Sequence, residues 1–296
     1  MSAPIPKRSL AQFLHDKVEE YNHPSFIAAD PISIPHRFSI RQDIEIAAFF
    51  AAIFSWGNRT TIIRKTSELM QMMDNAPWQF VRQHTDKDLK KLLDFRHRTF
   101  NATDLLYFVA VFKAHYSRYD SLEDAFLQGG GRTLTEQGAA ATTGNLSGQG
   151  SSAITGALTA FYHYFFSLPA DPFDRASSLV PGRPGALLAP PRTYKHIASP
   201  EKNSSCKRLN MFLRWMVRKD DKGVDFGLWT RIRPSQLVCP LDVHVARVAR
   251  RLGLMTRTQT DWQAALELTD YLSTLDSEDP VKYDFALFGL GVMEKF

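Results

Sequence analysis

The chain has 296 residues, 44% of them apolar and five of them tryptophan, enough to bury a large core as one domain or as two lobes. Its formal charge is +5, and its two cysteines, Cys206 and Cys239, are too few for a structural zinc or an iron–sulfur cluster; with no CxxC present, neither metal nor cofactor is expected. The opening MSAPIPKRSLAQFLHDKVEEYN lacks an apolar core of signal-peptide length, and no run of about 18 apolar residues follows, so the expectation is a soluble, cytoplasmic protein with buried, reduced thiols.

In chain order, Ser9 to Tyr21 reads as a helix with Leu10, Phe13, Leu14 and Val18 on one face. HPSFIAADPISIPHRF reads as loop, with three prolines spaced through it. Ser39-Ile-Arg-Gln42 has the form of a capping box opening IEIAAFFAAIFSW, a helix apolar on most sides that Gly57 ends and that belongs at a domain centre. NRTTIIRKTSELMQMMDNA predicts a second amphipathic helix, Pro77 starts a third, and Asp104-Leu-Leu-Tyr-Phe-Val-Ala-Val-Phe a fourth after FRHRTF. Residues 128–152 turn rich in Gly, Thr and Ala and read as a flexible insertion. Ala153 to Leu168 returns to helix, and Pro169 to Pro200 is a long proline-rich loop of the kind that is functional or disordered. Thr260 caps DWQAALELTDYL, and Asp279-Pro280 opens VKYDFALFGLG. No alternating strand of useful length appears, so the fold class is all-α, a single domain over 1–296 with two helical lobes and a cleft between them.

The residues that carry chemistry lie in 199–254. Between Arg192 and Gln259 fifteen Lys/Arg face five Asp/Glu, a net of +10 that leaves −5 for the remainder. So uneven a charge fits either a polyanionic partner or a solvated basic surface. Within it, Lys207 stands near the start of a helix whose Leu209, Phe212, Leu213 and Met216 share a face. Asp242 sits where an N-cap carboxylate belongs, before a helix with Val245, Val248, Ala249 and Leu252 on one face and His244, Arg247 and Arg251 on another. A lysine, an aspartate and a basic helix face suit chemistry on nucleic acid.

At Asp242-Val243-His244-Val245, Arg247-Val248 and Arg251-Leu252-Gly253-Leu254 the sequence resembles the HhH-GPD superfamily of DNA glycosylases, which includes endonuclease III-like enzymes. IEIAAFFAAIFSWGNRT resembles their early helix with its DNA-facing turn, and YDFALFGLG their late alanine- and glycine-containing helix. The chain as a whole also resembles a bacterial family of unassigned function that carries KRLNMFLRWMVR, PLDVH and DPVKYDFALFGLG. Three departures stand out. The Leu-Pro-Gly-Val-Gly hairpin is replaced by Pro200-Glu-Lys-Asn-Ser-Ser-Cys206, without a glycine to turn tightly toward a phosphate. Lys207 and Asp242 are 35 positions apart, a longer spacing that is similar to archaeal-type 8-oxoguanine glycosylases. The cysteine cluster of endonuclease III is missing.

The resemblance implies an enzyme that flips a damaged, oxidised base out of double-stranded DNA and removes it. Lys207 would be the nucleophile of a Schiff-base glycosylase and AP lyase, and Asp242 its electrostatic and proton-transfer partner. Lys202, Ser204, Ser205, Arg208, His244, Arg247, Asn58 and Arg59 would contact DNA, with Trp56 and Trp215 as wedge or base pocket. The implied enzyme is monomeric and nucleoid-associated. Each role has a structural competitor: Asp242 as N-cap, Lys207 as surface or phosphate-contacting lysine, Trp56, Trp215 and Trp229 as packing, Asp284 as structural or as a buried carboxylate near the pocket. The competing functions are a non-catalytic DNA- or RNA-binding module on the same fold, and a partner-binding scaffold.

Overall fold

A computed structural model describes residues 7–128, 150–168 and 189–296. Helix dominates them. After α1 (Lys7–Tyr21) come three short 3-10 turns, Pro24–Ala29, Pro31–Ser33 and Pro35–Arg37, each opened by a proline that has no N–H to leave unpaired. Then follow α2 (Arg41–Phe54), α3 (Arg59–Met72), α4 (Pro77–Gln83) and α5 (Asp86–Lys91). A hairpin of β1 (Arg96–His97) and β2 (Phe100–Asn101) leads into α6 (Ala102–Tyr116), α7 (Glu123–Leu127) and α8 (Gly150–Ser167). The rest is α9 (Lys207–Val217), α10 (Val243–Arg251), α11 (Trp262–Ser273) and α12 (Tyr283–Val292). No helix among the described residues is long and apolar enough to cross a membrane.

These residues fall into two compact units, one of 7–30, 150–155 and 199–296, the other of 31–128, 156–168 and 189–198. The second is organised on α2. From Asp43 to Phe54 every residue of that helix is buried. Phe49 and Phe50 meet Phe112 edge-on at 5.3 and 5.6 Å, and Phe54 meets Phe100 at 5.0 Å. Each fully buried phenylalanine contributes ~2–3 kcal/mol by burial, with a further ~1 kcal/mol from well-placed ring pairs. Glu45, the fully buried carboxylate of this helix's second turn, is held by the Tyr116 hydroxyl (2.9 Å), the Ser121 hydroxyl (2.6 Å) and the Leu122 N–H (2.9 Å). A buried charge persists only with such donors.

In the first unit, α12 packs against α1 and α10. Two glycines let it approach both. A Cβ on Gly289 would lie 2.2 Å from the Tyr21 ring, and one on Gly291 would lie 3.2 Å from His244 and Val248.

Several sequence expectations change on contact with the structure. Ser39 does not cap α2; the N-cap is Ile40, with no side-chain hydrogen bond, and Asp43 instead caps α4 through the Trp78 N–H at 2.8 Å. The loop over HPSFIAADPISIPHRF is the run of 3-10 turns. FRHRTF makes a hairpin, its register pairing Arg96 with Asn101 and His97 with Phe100. Of the insertion expected over 128–152, positions 129–149 lie outside the described residues, and 150–152 already belong to α8. Of the Pro169–Pro200 loop, 169–188 lie outside them, and Thr193–His196 form a 3-10 turn whose Thr193 hydroxyl donates to Asp104 at 2.8 Å.

Candidate functional site

The candidate site is built within the first unit, from α9, α10 and α12. The chain enters α9 through the glycine-free segment. Ser199 accepts the Glu201 N–H, Pro200–Lys202 makes one 3-10 turn, and Asn203 and Cys206 both take left-handed backbone, φ 52° and 51°. Asparagine enters that region readily; for cysteine it is a strained choice held by the surroundings. Cys206 is buried, and its N–H donates to the Ser204 hydroxyl at 3.2 Å. The tight turn that lack of glycine argued against is therefore made by two other residues.

That turn brings Lys207 to the N-terminus of α10. Asp242 is the N-cap there, as its position predicts: its Oδ1 accepts the N–H groups of His244 (2.9 Å) and Val245 (3.0 Å). Its second oxygen, Oδ2, lies 3.8 Å from Lys207 Nζ. Capping and facing the amine are thus shared between the two oxygens of one carboxylate, and neither role excludes the other. Both side chains keep contact with solvent, 25% exposed for Lys207 and 20% for Asp242.

Behind this pair the charge is buried. Asp284, in the first turn of α12, lines the same cavity as Lys207, Asp242, Arg214 and Trp215. Burial pushes the Asp284 carboxyl up to about 6; Arg214 opposes the rise, and Asp242 adds to it. Arg214 pairs with Asp284 and, through Nε at 3.3 Å, with the buried Asp225. Asp225 in turn meets Arg218 at 3.2 Å, and Arg218 reaches Asp279 at 2.7 Å and Asp220 at 2.6 Å. Alternating charges thus run from the cavity wall through the buried Asp225 and Arg218 to the partly exposed Asp220 and Asp279. Arg214 near the end of the apolar-rich α9 and Arg218, its C-cap four residues on, are the sequence signal for this chain of pairs, and the carboxylates that complete it are up to 70 positions away.

The apolar wall of the cavity is Phe26, Met211, Pro240, Val245 and Phe288. The cavity measures about 20 Å³, room for roughly one water molecule. Trp215 is fully buried on its wall, and its Nε1 has no hydrogen-bond partner among the described residues. Trp229 packs edge-on against Phe212 at 5.3 Å. Both cysteines are free and buried, and burial pushes the Cys206 thiol up to about 12. Among the described residues no His, Cys, Asp and Glu group is placed to hold a metal ion.

The residues expected on DNA are placed as follows. The Ser205 hydroxyl donates to the Leu241 carbonyl at 3.2 Å, tying the turn to the segment before Asp242, and the Ser204 hydroxyl accepts the Cys206 N–H within the turn. Lys202 is exposed; Arg208 is half-buried, and burial lowers its pKa to about 10. His244 and Arg247 are exposed on α10, but Arg247 also donates to the carbonyls of Gly291 (2.7 Å) and Phe296 (3.0 Å), tying down the end of α12. Trp56, Asn58 and Arg59 belong to the other unit, where the Asn58 side chain caps α3 by accepting the Thr61 N–H at 3.1 Å.

No curated protein and no solved structure matches the chain. Residues 30–293 match the family described as "Protein of unknown function (DUF2400)", a span that takes in α2 to α12, and the chain belongs to that family.

Proposed function

We propose that this protein is a DNA glycosylase of the HhH-GPD type, with Lys207 as nucleophile and Asp242 as its partner. One observation carries the reading: residues 35 positions apart in sequence place an amine 3.8 Å from a carboxylate oxygen, in one cavity backed by a second, buried carboxylate, Asp284.

The chemistry follows from those groups. An ordinary lysine is protonated at neutral pH and must lose its proton before it attacks. Asp242 Oδ2 is the acceptor within reach. The amine nitrogen then forms a bond to the sugar C1′ as the N-glycosidic bond breaks. The bonding electrons leave with the base, which takes up a proton. That proton is the one Asp242 accepted, and the carboxylate so regenerated, fixed in place because its other oxygen is bound to two backbone N–H groups, opposes the positive charge developing at C1′. Opening of the sugar ring gives the Schiff base, and loss of a C2′ proton with departure of the 3′ phosphate cleaves the strand.

A second reading, a nucleic-acid-binding module without chemistry, draws on the size of the cavity. A nucleobase does not fit in about 20 Å³, so the enzyme reading requires Phe26, Met211 or Phe288 to move when a base enters. Borohydride trapping on duplexes carrying 8-oxoguanine, oxidised pyrimidines, uracil or an abasic site separates the two. The enzyme leaves a covalent adduct that Lys207→Ala abolishes; the module binds and leaves none.

A further inference from the structure

The hairpin of β1 and β2 has no part in the site just described, and it presents a cation held with unusual care. His97 and Phe100 are buried, and His97 Nε2 lies 3.1 Å from the Phe54 carbonyl oxygen, which fixes the hairpin to the end of α2. Arg96, Arg98 and Thr99 are exposed. Arg98 takes left-handed backbone, φ 55°, a region that costs an L-residue energy unless the surroundings compensate. Its guanidinium stacks over the half-buried Trp56 ring at 4.8 Å and donates to the Trp56 carbonyl at 3.3 Å. Gly57 makes the space: a Cβ there would lie 1.9 Å from Arg98 Nη1. Turn, glycine and indole therefore all hold one side chain in one place.

Nothing in the ion pairing explains that care. Neither Arg96 nor Arg98 pairs with a carboxylate among the described residues, whereas Arg41, Lys65, Lys91 and Arg192 of the same unit do. Further cations stand close by. After burial and the Phe54 carbonyl, Arg98, Lys65 and Arg64 are the charges that act on His97, all three lowering its affinity for a proton. Glu68 offsets only part of this, binding Lys65 at 2.8 Å and Arg64 at 3.7 Å, and Arg64 remains 65% exposed. Arg192 braces the tip from the other side, donating to the Thr99 carbonyl at 2.7 Å.

We propose that the Arg96–Asn101 hairpin, with Arg98 clamped on Trp56, is a contact surface for the sugar–phosphate backbone of a nucleic acid. A guanidinium stacked on an indole keeps outward N–H donors in a fixed plane, the geometry that matches phosphate oxygens. The partly open Trp56 ring beside it gives a base a face to stack on. An anionic membrane surface would need several apolar side chains beside the cations, and among the described residues of this unit the exposed large ones are Ile40 and Leu93. The proposal shares a nucleic-acid partner with the reading above but uses neither Lys207 nor any covalent step.

The test is the salt dependence of binding to a fluorescently labelled, lesion-free duplex, read as log K against log salt. Each phosphate contact adds about 0.9 to the slope on B-DNA. The double variant Arg96→Gln/Arg98→Gln is expected to lower the slope by about 1.8, alike on two unrelated sequences, with its unfolding midpoint unchanged. Arg98→Lys keeps the charge but not the stacked plane, and is expected to weaken binding while keeping most of the slope. An unchanged slope in a folded double variant overturns the proposal. So does a wild-type protein that binds neither duplex nor single strand, or one that binds only vesicles of anionic lipid. Because the duplex carries no lesion, loss of adduct in the trapping experiment and loss of slope here are separate results, and either can fail alone.

Discussion

Asp104 and Asp284 make an instructive pair, one in each unit. Both sit in the first turn of a helix and both are buried, yet their carboxyls shift in opposite directions. Burial pushes Asp104 up, but the contacts from His196, the Asn101 N–H and the Thr193 hydroxyl outweigh it and hold the carboxyl at about 2. Burial pushes Asp284 up to about 6, since its one arginine is shared with Asp225 and a second carboxylate, Asp242, faces it. Burial raises both; the count of donors against neighbouring charge decides the outcome. Asp104 reads as a clasp between α6 and the 193–196 turn. Asp284 reads as the strained wall of a site.

The sharpest way to break the contrast is to remove Arg214. Arg214→Leu leaves Asp225 and Asp284 buried without that cation, and the expected loss is ~3–5 kcal/mol in urea unfolding. A loss under about 1 kcal/mol would mean that the buried pairs hold little charge. Asp104→Asn comes next. A depressed pKa contributes stability that is present above the unfolded value and lost as pH falls. The variant should therefore be about 2 kcal/mol less stable at pH 7, with the difference vanishing between about pH 4 and pH 2. A pH-independent difference would refute the clasp.

Smaller effects follow at the site. As an N-cap, Asp242→Ala should lose ~1 kcal/mol and Asp242→Asn only a few tenths, while adduct formation falls to little in both. An Asn variant that still forms adduct at the wild-type rate would leave Asp242 a cap and nothing more. Asp284→Asn should change stability at neutral pH least of all, because relief of the buried charge is offset by Arg214 losing a partner. Its mark is the pH profile. A raised pKa means that stability is full below the unfolded value and falls as pH rises through about 4 to 6. That fall should flatten in the Asn variant, measured as thermal midpoint against pH; an unaltered profile would place the titration elsewhere.

What the sequence made legible was local. The Asp242 cap, the Pro77 helix start and the apolar face of α9 depend on residues three or four apart, and the structure places each as its spacing predicts. Ser39 shows the limit of such patterns: the spacing is right, but α2 starts later, at Arg41, where Gln42 reaches the Asp120 carbonyl at 3.0 Å instead of turning back on a cap. The buried pairs of Arg214 and Arg218 could be seen from one side only, since Asp279 and Asp284 come from a segment 61 and 70 positions on. Arg247 was legible as exposed and basic, but its bonds to Gly291 and Phe296 exist only once α12 packs on α10. The Arg98–Trp56 stack has the same origin, two loops 42 positions apart meeting across a glycine.

The measurement that tests the central claim most directly is borohydride trapping of wild type, Lys207→Ala and Asp242→Asn on a duplex bearing an abasic site or an oxidised base. The account predicts a covalent adduct with wild type, none with Lys207→Ala, and little with Asp242→Asn, while both variants keep a cooperative unfolding transition. An adduct that persists in Lys207→Ala, or wild-type protein that binds every duplex and traps none, would contradict it.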